Sequence, residues 1–103
     1  MKDIDVIELK EKMDRGDKFI FIDVREPFEY EMFNLGARLI PLGSFEEAIP
    51  ELEEYKNEEI IIHCRSGKRS ETAKQMMISR GFTNVRNLIG GVLDWQSRFN
   101  AIQ

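Results

Sequence analysis

Cysteine and histidine each occur once in this chain, adjacent to one another at positions 64 and 63. That scarcity removes several chemistries. A lone cysteine cannot close an internal disulfide, so a reducing compartment is the natural setting. One cysteine and one histidine cannot complete a closed zinc site, and no Asp or Glu cluster with metal-ligand spacing joins them, so no metal or other cofactor is expected. Apolar runs are short, the longest being stretches such as Phe19 to Ile22, and none approaches bilayer length. The opening Met1-Lys2-Asp3-Ile4-Asp5 lacks the apolar stretch and cleavage site of a secretory signal. Internal repeats, low-complexity tracts and linkers are also missing. A cytoplasmic, freely soluble protein with one domain over 1–103 is expected.

What is present is an ordinary globular mixture, 42% apolar and 33% charged, with a formal net charge of −4. That acidic balance argues against binding nucleic acid or an anionic membrane, both of which favour a cationic surface. The placement of charge is more telling than its sum. Arg65, Lys68 and Arg69 crowd the segment just after the cysteine, with no acid among them. Acids gather elsewhere, at Glu46, Glu47, Glu51, Glu53, Glu54, Glu58 and Glu59. An acidic chain that collects cations in one short loop is expected to meet an anion there.

Phe19 to Val24 and Ile60 to His63 read as buried strands, with Leu39-Ile40 and Val85 to Leu88 as weaker candidates. Helical patterns lie between them. Val6, Leu9, Lys10 and Met13 share one face, with Asp5 as N-cap and Gly16 as stop. Ser70 to Arg80 places Ala73, Met76, Met77 and Arg80 at helical spacing before Gly81, and a last helix starts near Gly91 and carries Val92, Leu93, Trp95 and Gln96. One or two helical turns, interrupted at Pro50, are expected over Phe45 to Leu52. Strands alternating with helices predict an α/β fold with a mainly parallel central sheet flanked by helices on both faces. Ligands of such sheets bind beyond the carboxyl ends of the strands, which singles out Asp23 to Glu26 and Cys64 to Ser70.

The second segment joins a buried strand to an amphipathic helix. Its amides can turn inward as a nest, with Gly67 free to adopt angles other residues resist. The following helix adds its unpaired N–H groups and positive dipole end. Such surroundings lower a thiol pKa, and the thiolate is the nucleophile. The competing reading is a buried, inert cysteine. His63 invites a role as base, but neighbours on a strand point to opposite faces, so a packed structural histidine is expected. Gly90-Gly91 lacks the Gly-Lys-Ser/Thr ending of a phosphate loop and reads as a tight turn beside the cysteine.

The segment Cys64-Arg65-Ser66-Gly67-Lys68-Arg69-Ser70 resembles the active-site loop of single-domain rhodaneses, C-x-x-G-x-R-[ST]. Three further segments are similar in order and spacing: Asp23-Val24-Arg25-Glu26-Pro27-Phe28-Glu29-Tyr30, Gly36-Ala37 through Ile40-Pro41-Leu42, and Gly81-Phe82 through Asn87-Leu88, Gly90-Gly91 and Trp95. Many rhodaneses carry G-H-I-x-G-A where this chain has Glu31 to Ala37 without a histidine. That variant is similar to rhodanese domains fused to enzymes that adenylate sulfur-carrier proteins.

The resemblance implies a rhodanese-like fold and sulfane-sulfur transfer. Thiosulfate or a persulfide-bearing protein would load Cys64, and cyanide, a thiol or a sulfur-carrier protein would unload it. It implies Arg65, Ser66, Gly67, Lys68, Arg69 and Ser70 as the donor-binding loop. Arg69 would fix the loop with help from a carboxylate such as Asp23 or Glu29 and would contribute charge, while Asp23 and Arg25 read as a structural ion pair that holds the strand end. Two alternatives stay open. One is a carrier module in a protein persulfide relay; the other is a phosphatase-like or arsenate-reducing enzyme. Tyrosine phosphatases space cysteine and arginine six steps apart, whereas Cys64 and Arg69 are five apart, a cradle suited to one added sulfur.

Overall fold

The computed structural model describes residues 2–99. Four short strands, β1 (Ile20–Asp23), β2 (Arg38–Leu39), β3 (Ile60–His63) and β4 (Val85–Asn87), form one parallel sheet in the order β2-β1-β3-β4. Five α-helices accompany them: α1 (Val6–Arg15), α2 (Pro27–Met32), α3 (Phe45–Ala48), α4 (Lys68–Ser79) and α5 (Gly91–Phe99). Two 3-10 segments, Leu42–Ser44 and Ile49–Tyr55, flank α3. The α/β expectation holds, including its parallel sheet.

Strand side chains alternate between faces, and each face has its own apolar layer. Ile22, Val24, Ile60, Ile62 and Cys64 pack with Phe45, Ile49, Leu52, Ala73 and Met77 from α3, the segment after it and α4. Ile61 and the partly buried Phe19 and Phe21 pack on the other side with Val6, Leu9 and Trp95 from α1 and α5. All four residues of β3 are buried, as a central strand between two helical layers requires.

Chain order places the functional region. After β1 the chain builds outward to β2, then crosses back to β3 on the other side of β1. The carboxyl ends of β1 and β3, paired Asp23 to His63, therefore flank the switch point where open α/β sheets bind ligands.

Local expectations hold with instructive differences. Asp5 accepts the Glu8 amide at 2.8 Å, and Gly16 ends α1 in the left-handed region. On the face that Met13 shares with Val6 and Leu9, those two are buried while Met13 itself is exposed. The expected interruption at Pro50 is a change of helix type: α3 ends at Ala48, and Pro50 sits in the first turn of the 3-10 helix that follows, where its missing N–H has no intrahelical partner to lose. Helix α4 begins at Lys68, two residues before the expected Ser70. Ala73 and Met77 carry its buried face, Met76 is half-buried, and Arg80 turns out to pair with Glu46 at 3.1 Å.

Candidate active site

Helix α4 starts early because the loop after β3 turns sharply. Gly67 adopts φ 108°, a backbone closed to residues with a Cβ, and serves as the N-cap of α4. That turn folds the amides back over the cysteine. The Cys64 Sγ accepts from the Gly67 N–H at 3.1 Å, the Ser70 N–H at 3.4 Å and the Ser70 hydroxyl at 3.3 Å. Cys64 is only 1% exposed and its side chain borders the core, yet its sulfur meets donors. Burial pushes the thiol up, but the Ser70 hydroxyl and the amides of Ser70, Gly67 and Ser66 outweigh it and hold the thiol below its ordinary range. An inert core cysteine has no such donor set.

The carbonyls of the same loop face the other way, into the N-terminus of α5. The amides of Val92 and Leu93 donate to Cys64 O and Arg65 O, both at 3.0 Å. Helix α5 thereby satisfies two of its own orphan donors and pins the loop with its amides turned toward sulfur. The approach is close enough that a Cβ on Gly91 would lie 2.5 Å from Arg65 O and 2.6 Å from Cys64 O. Gly90-Gly91 is the tight turn beside the cysteine that the sequence suggests.

Asn87, at the end of β4, completes the support. Its Nδ2 donates to Gly67 O at 3.0 Å and its Oδ1 accepts from the Ser70 hydroxyl at 2.5 Å. Ser70 has one hydroxyl proton and two acceptors in reach, Asn87 and the sulfur. Sequence reasoning passed over Asn87. Only its place in the Asn87-Leu88 segment hinted at it, because the contact spans residues 17 and 20 positions apart.

The charged residues divide into two sets. Arg69 lies close enough for its charge to interact with that of Cys64. Its guanidinium makes two bonds to Glu29, at 2.8 and 2.9 Å, tying α4 to α2. Hydrogen bonds from Arg69, aided by the Glu26 amide, outweigh burial and hold Glu29 down at about 2. Asp23 is not the Arg69 partner. It pairs with Arg25, both fully inside, through contacts of 2.8 to 3.1 Å, and Arg25 reaches on to the carbonyls of Glu29 and Phe33. This pair anchors α2 to the end of β1. By contrast Arg65 and Lys68 stand exposed with no ion-pair partner among the described residues.

His63 lies on the opposite face, its ring 5.2 Å from that of Phe21 and its Nε2 3.6 Å from Asp23. Burial lowers its pKa, and the Arg25 guanidinium adds to that against the pull of Asp23, leaving it at about 4. It is neutral near pH 7 and makes no contact with the sulfur. No group of three or more potential metal ligands occurs among the described residues, and no helix there is long and apolar enough to cross a membrane.

Two shallow depressions flank the loop. One, of about 170 Å³, is bordered by Arg65 with Arg25, Glu29, Met32 and Leu93. The other, of about 460 Å³, is bordered by Ser66, Gly67 and Lys68 with Glu71, Asn87 and Ile89.

A lone cysteine held by main-chain donors at the switch point of a small parallel sheet defines a class of sulfur-cradling α/β domains. Comparison with known sequences narrows the class: residues 5–98 match the Rhodanese-like domain, and the chain belongs to the rhodanese family. It is 40% identical over 97 residues to the "Putative sulfur carrier protein YrkF" of Bacillus subtilis, covering 93% of this chain and 51% of that protein. It is 31% identical to "Adenylyltransferase and sulfurtransferase MOCS3-1" of Zea mays, covering 85% of this chain and 20% of that one. The chain thus spans about half or less of the length of these relatives. A rhodanese-related protein of Thermoplasma volcanium matches in structure with a TM-score of 0.83 at 25% identity, over 96% of this chain and 94% of its own. This membership supports a sulfur-transfer role in general.

Proposed function

We propose that this domain moves a sulfane sulfur through a persulfide on Cys64. The observation that carries the reading is the ring of donors, at 3.1 to 3.4 Å, around one otherwise buried sulfur. It stabilises negative sulfur without a general base, and a thiolate that needs no base is what a sulfur acceptor requires.

The half-reactions balance without an outside oxidant. The Cys64 thiolate attacks the outer sulfur of thiosulfate; the sulfur–sulfur bond breaks, and sulfite leaves with the electron pair. Cyanide or a thiolate then attacks the outer sulfur of the persulfide, and the Cys64 thiolate is released. The same donors that hold the starting thiolate receive it as leaving group. Arg65 and Lys68, exposed beside the loop, draw in the anionic donor. Arg69 acts by holding the loop, since Glu29 already occupies its guanidinium. That engagement also weighs against phosphatase-like chemistry, which needs a free guanidinium on the phosphoryl oxygens.

Intact-mass measurement after thiosulfate treatment tests this reading. The expected result is the gain of one sulfur atom, removable by cyanide and absent in Cys64→Ser. A wild-type protein that stays unmodified with thiosulfate and with a persulfide donor alike refutes it. Loading from a protein persulfide but not from thiosulfate favours the carrier reading, which the likeness to a sulfur-carrier relative supports.

A further inference from the structure

Eleven of the fifteen cationic side chains are spent in ion pairs within the molecule. Two of the remaining four, Arg65 and Lys68, stand on either side of the Cys64 cradle. The acids that border the two depressions are already engaged, Glu29 by Arg69 and Glu71 by Lys74 and Asn87. The mouth of the site is therefore locally cationic on an acidic protein.

Apolar side chains collect at the same place. Met32 is 83% exposed, Ile89 54% and Leu93 43%. Met32 and Leu93 border the depression on the Arg65 side, and Ile89 borders the one on the Lys68 side. Phe28, 65% exposed, lies one helical turn from Met32 on the same face of α2. Scattered exposed apolar residues need no explanation, but a group around a reactive centre marks an interaction surface. Thiosulfate has use for the cations and none for the apolar rim. A polypeptide uses both.

We propose that this rim is the docking surface for an acidic protein that offers an acceptor thiol on an extended segment, its apolar side chains covering Met32, Leu93 and Ile89 and its carboxylates meeting Arg65 and Lys68. The inference rests on the reading that Cys64 carries transferable sulfur. An extended segment is required because Cys64 is only 1% exposed, so a flat surface cannot bring its sulfur into reach. The partner thiolate attacks the outer sulfur of the Cys64 persulfide; a new sulfur–sulfur bond forms and the old one breaks, its electron pair returning to Cys64 Sγ. A membrane is the weaker fit to cations with an apolar rim, since the molecule as a whole carries −4 and the cations are confined to one loop.

The test uses two fluorescein-labelled peptides of equal length ending in Gly-Cys, one alternating Glu and Leu, the other Lys and Leu. Binding to the full chain is read by anisotropy, and transfer from the loaded protein by mass. The Glu-Leu peptide is expected to bind about tenfold more tightly than the Lys-Leu one, and Met32→Ser with Ile89→Ser to weaken it about tenfold. Thiocyanate formation from thiosulfate and cyanide by that double variant is expected to stay within about twofold of wild type. Equal binding of the two peptides, or binding indifferent to the substitutions, overturns the proposal. So does binding to phosphatidylglycerol vesicles without peptide preference, or self-association that the substitutions abolish, since each gives the rim to another occupant. Because anisotropy needs no sulfur chemistry, a protein that binds the peptide but never takes up sulfur refutes the persulfide reading alone.

Discussion

Replacing Glu29 with Gln isolates the contact that ties α2 to the start of α4. The two Arg69–Glu29 bonds, 2.8 and 2.9 Å long, join residues 40 positions apart. Lowering the Glu29 carboxyl from 4.5 to about 2 corresponds to about 3 kcal/mol of differential stabilisation. The Arg69 side chain is 34% exposed, so screening by water reduces the expected loss to about 1–2 kcal/mol. Gln keeps an oxygen for the Glu26 amide, which Glu29 Oε1 accepts at 2.9 Å, so the cap of α2 survives and the loss reports on Arg69. A depressed carboxylate stabilises the fold fully above its unfolded value and loses that contribution as pH falls. The gap between wild type and variant should therefore be constant down to about pH 5 and close between about 4.5 and 2. Urea unfolding followed by Trp95 fluorescence at several pH values reads it directly. A gap below about 0.5 kcal/mol near neutrality, or one that persists as the carboxyl protonates, refutes the assignment.

Ser70→Ala removes the hydroxyl donor from the sulfur, so the pH midpoint of iodoacetamide alkylation at Cys64 should rise; an unmoved midpoint means the hydroxyl belongs to Asn87 alone. Gly91→Ala puts a Cβ 2.5 Å from Arg65 O at φ 57°, and a stability loss of about 2 kcal/mol or more is expected by denaturant unfolding; wild-type stability would show that the loop yields easily. The His63 imidazole gives the only histidine signal in a proton NMR spectrum and should not titrate until pH falls toward about 4, whereas a midpoint near 6.5 contradicts its burial. In the unfolded chain it protonates near 6.5, so it costs the wild type stability as pH falls from 6.5 to about 4, a loss that His63→Gln should lack.

The sequence by itself determined the parts of this protein that depend on neighbours along the chain. A buried Ile60-Ile61-Ile62 strand, a glycine three residues past the cysteine and an amphipathic helix after it are local facts. Together they let successive amides of the loop turn inward around Cys64 as a nest. Alternation along β3 likewise sent His63 away from the sulfur without any need of coordinates. Only the tertiary structure decided what depends on segments meeting across the sheet. Whether Arg69 took Asp23 or Glu29 turned on how α2 packs, and Arg25 had already claimed Asp23 within the strand end. That Asn87 and the first amides of α5 brace the loop, and that Met32, Leu93 and Ile89 stand around its mouth, has no local signature. Those contacts come from the crossover that sets β1 beside β3 and β4 beyond it, and periodicity along a chain carries no record of which ends a parallel sheet brings together.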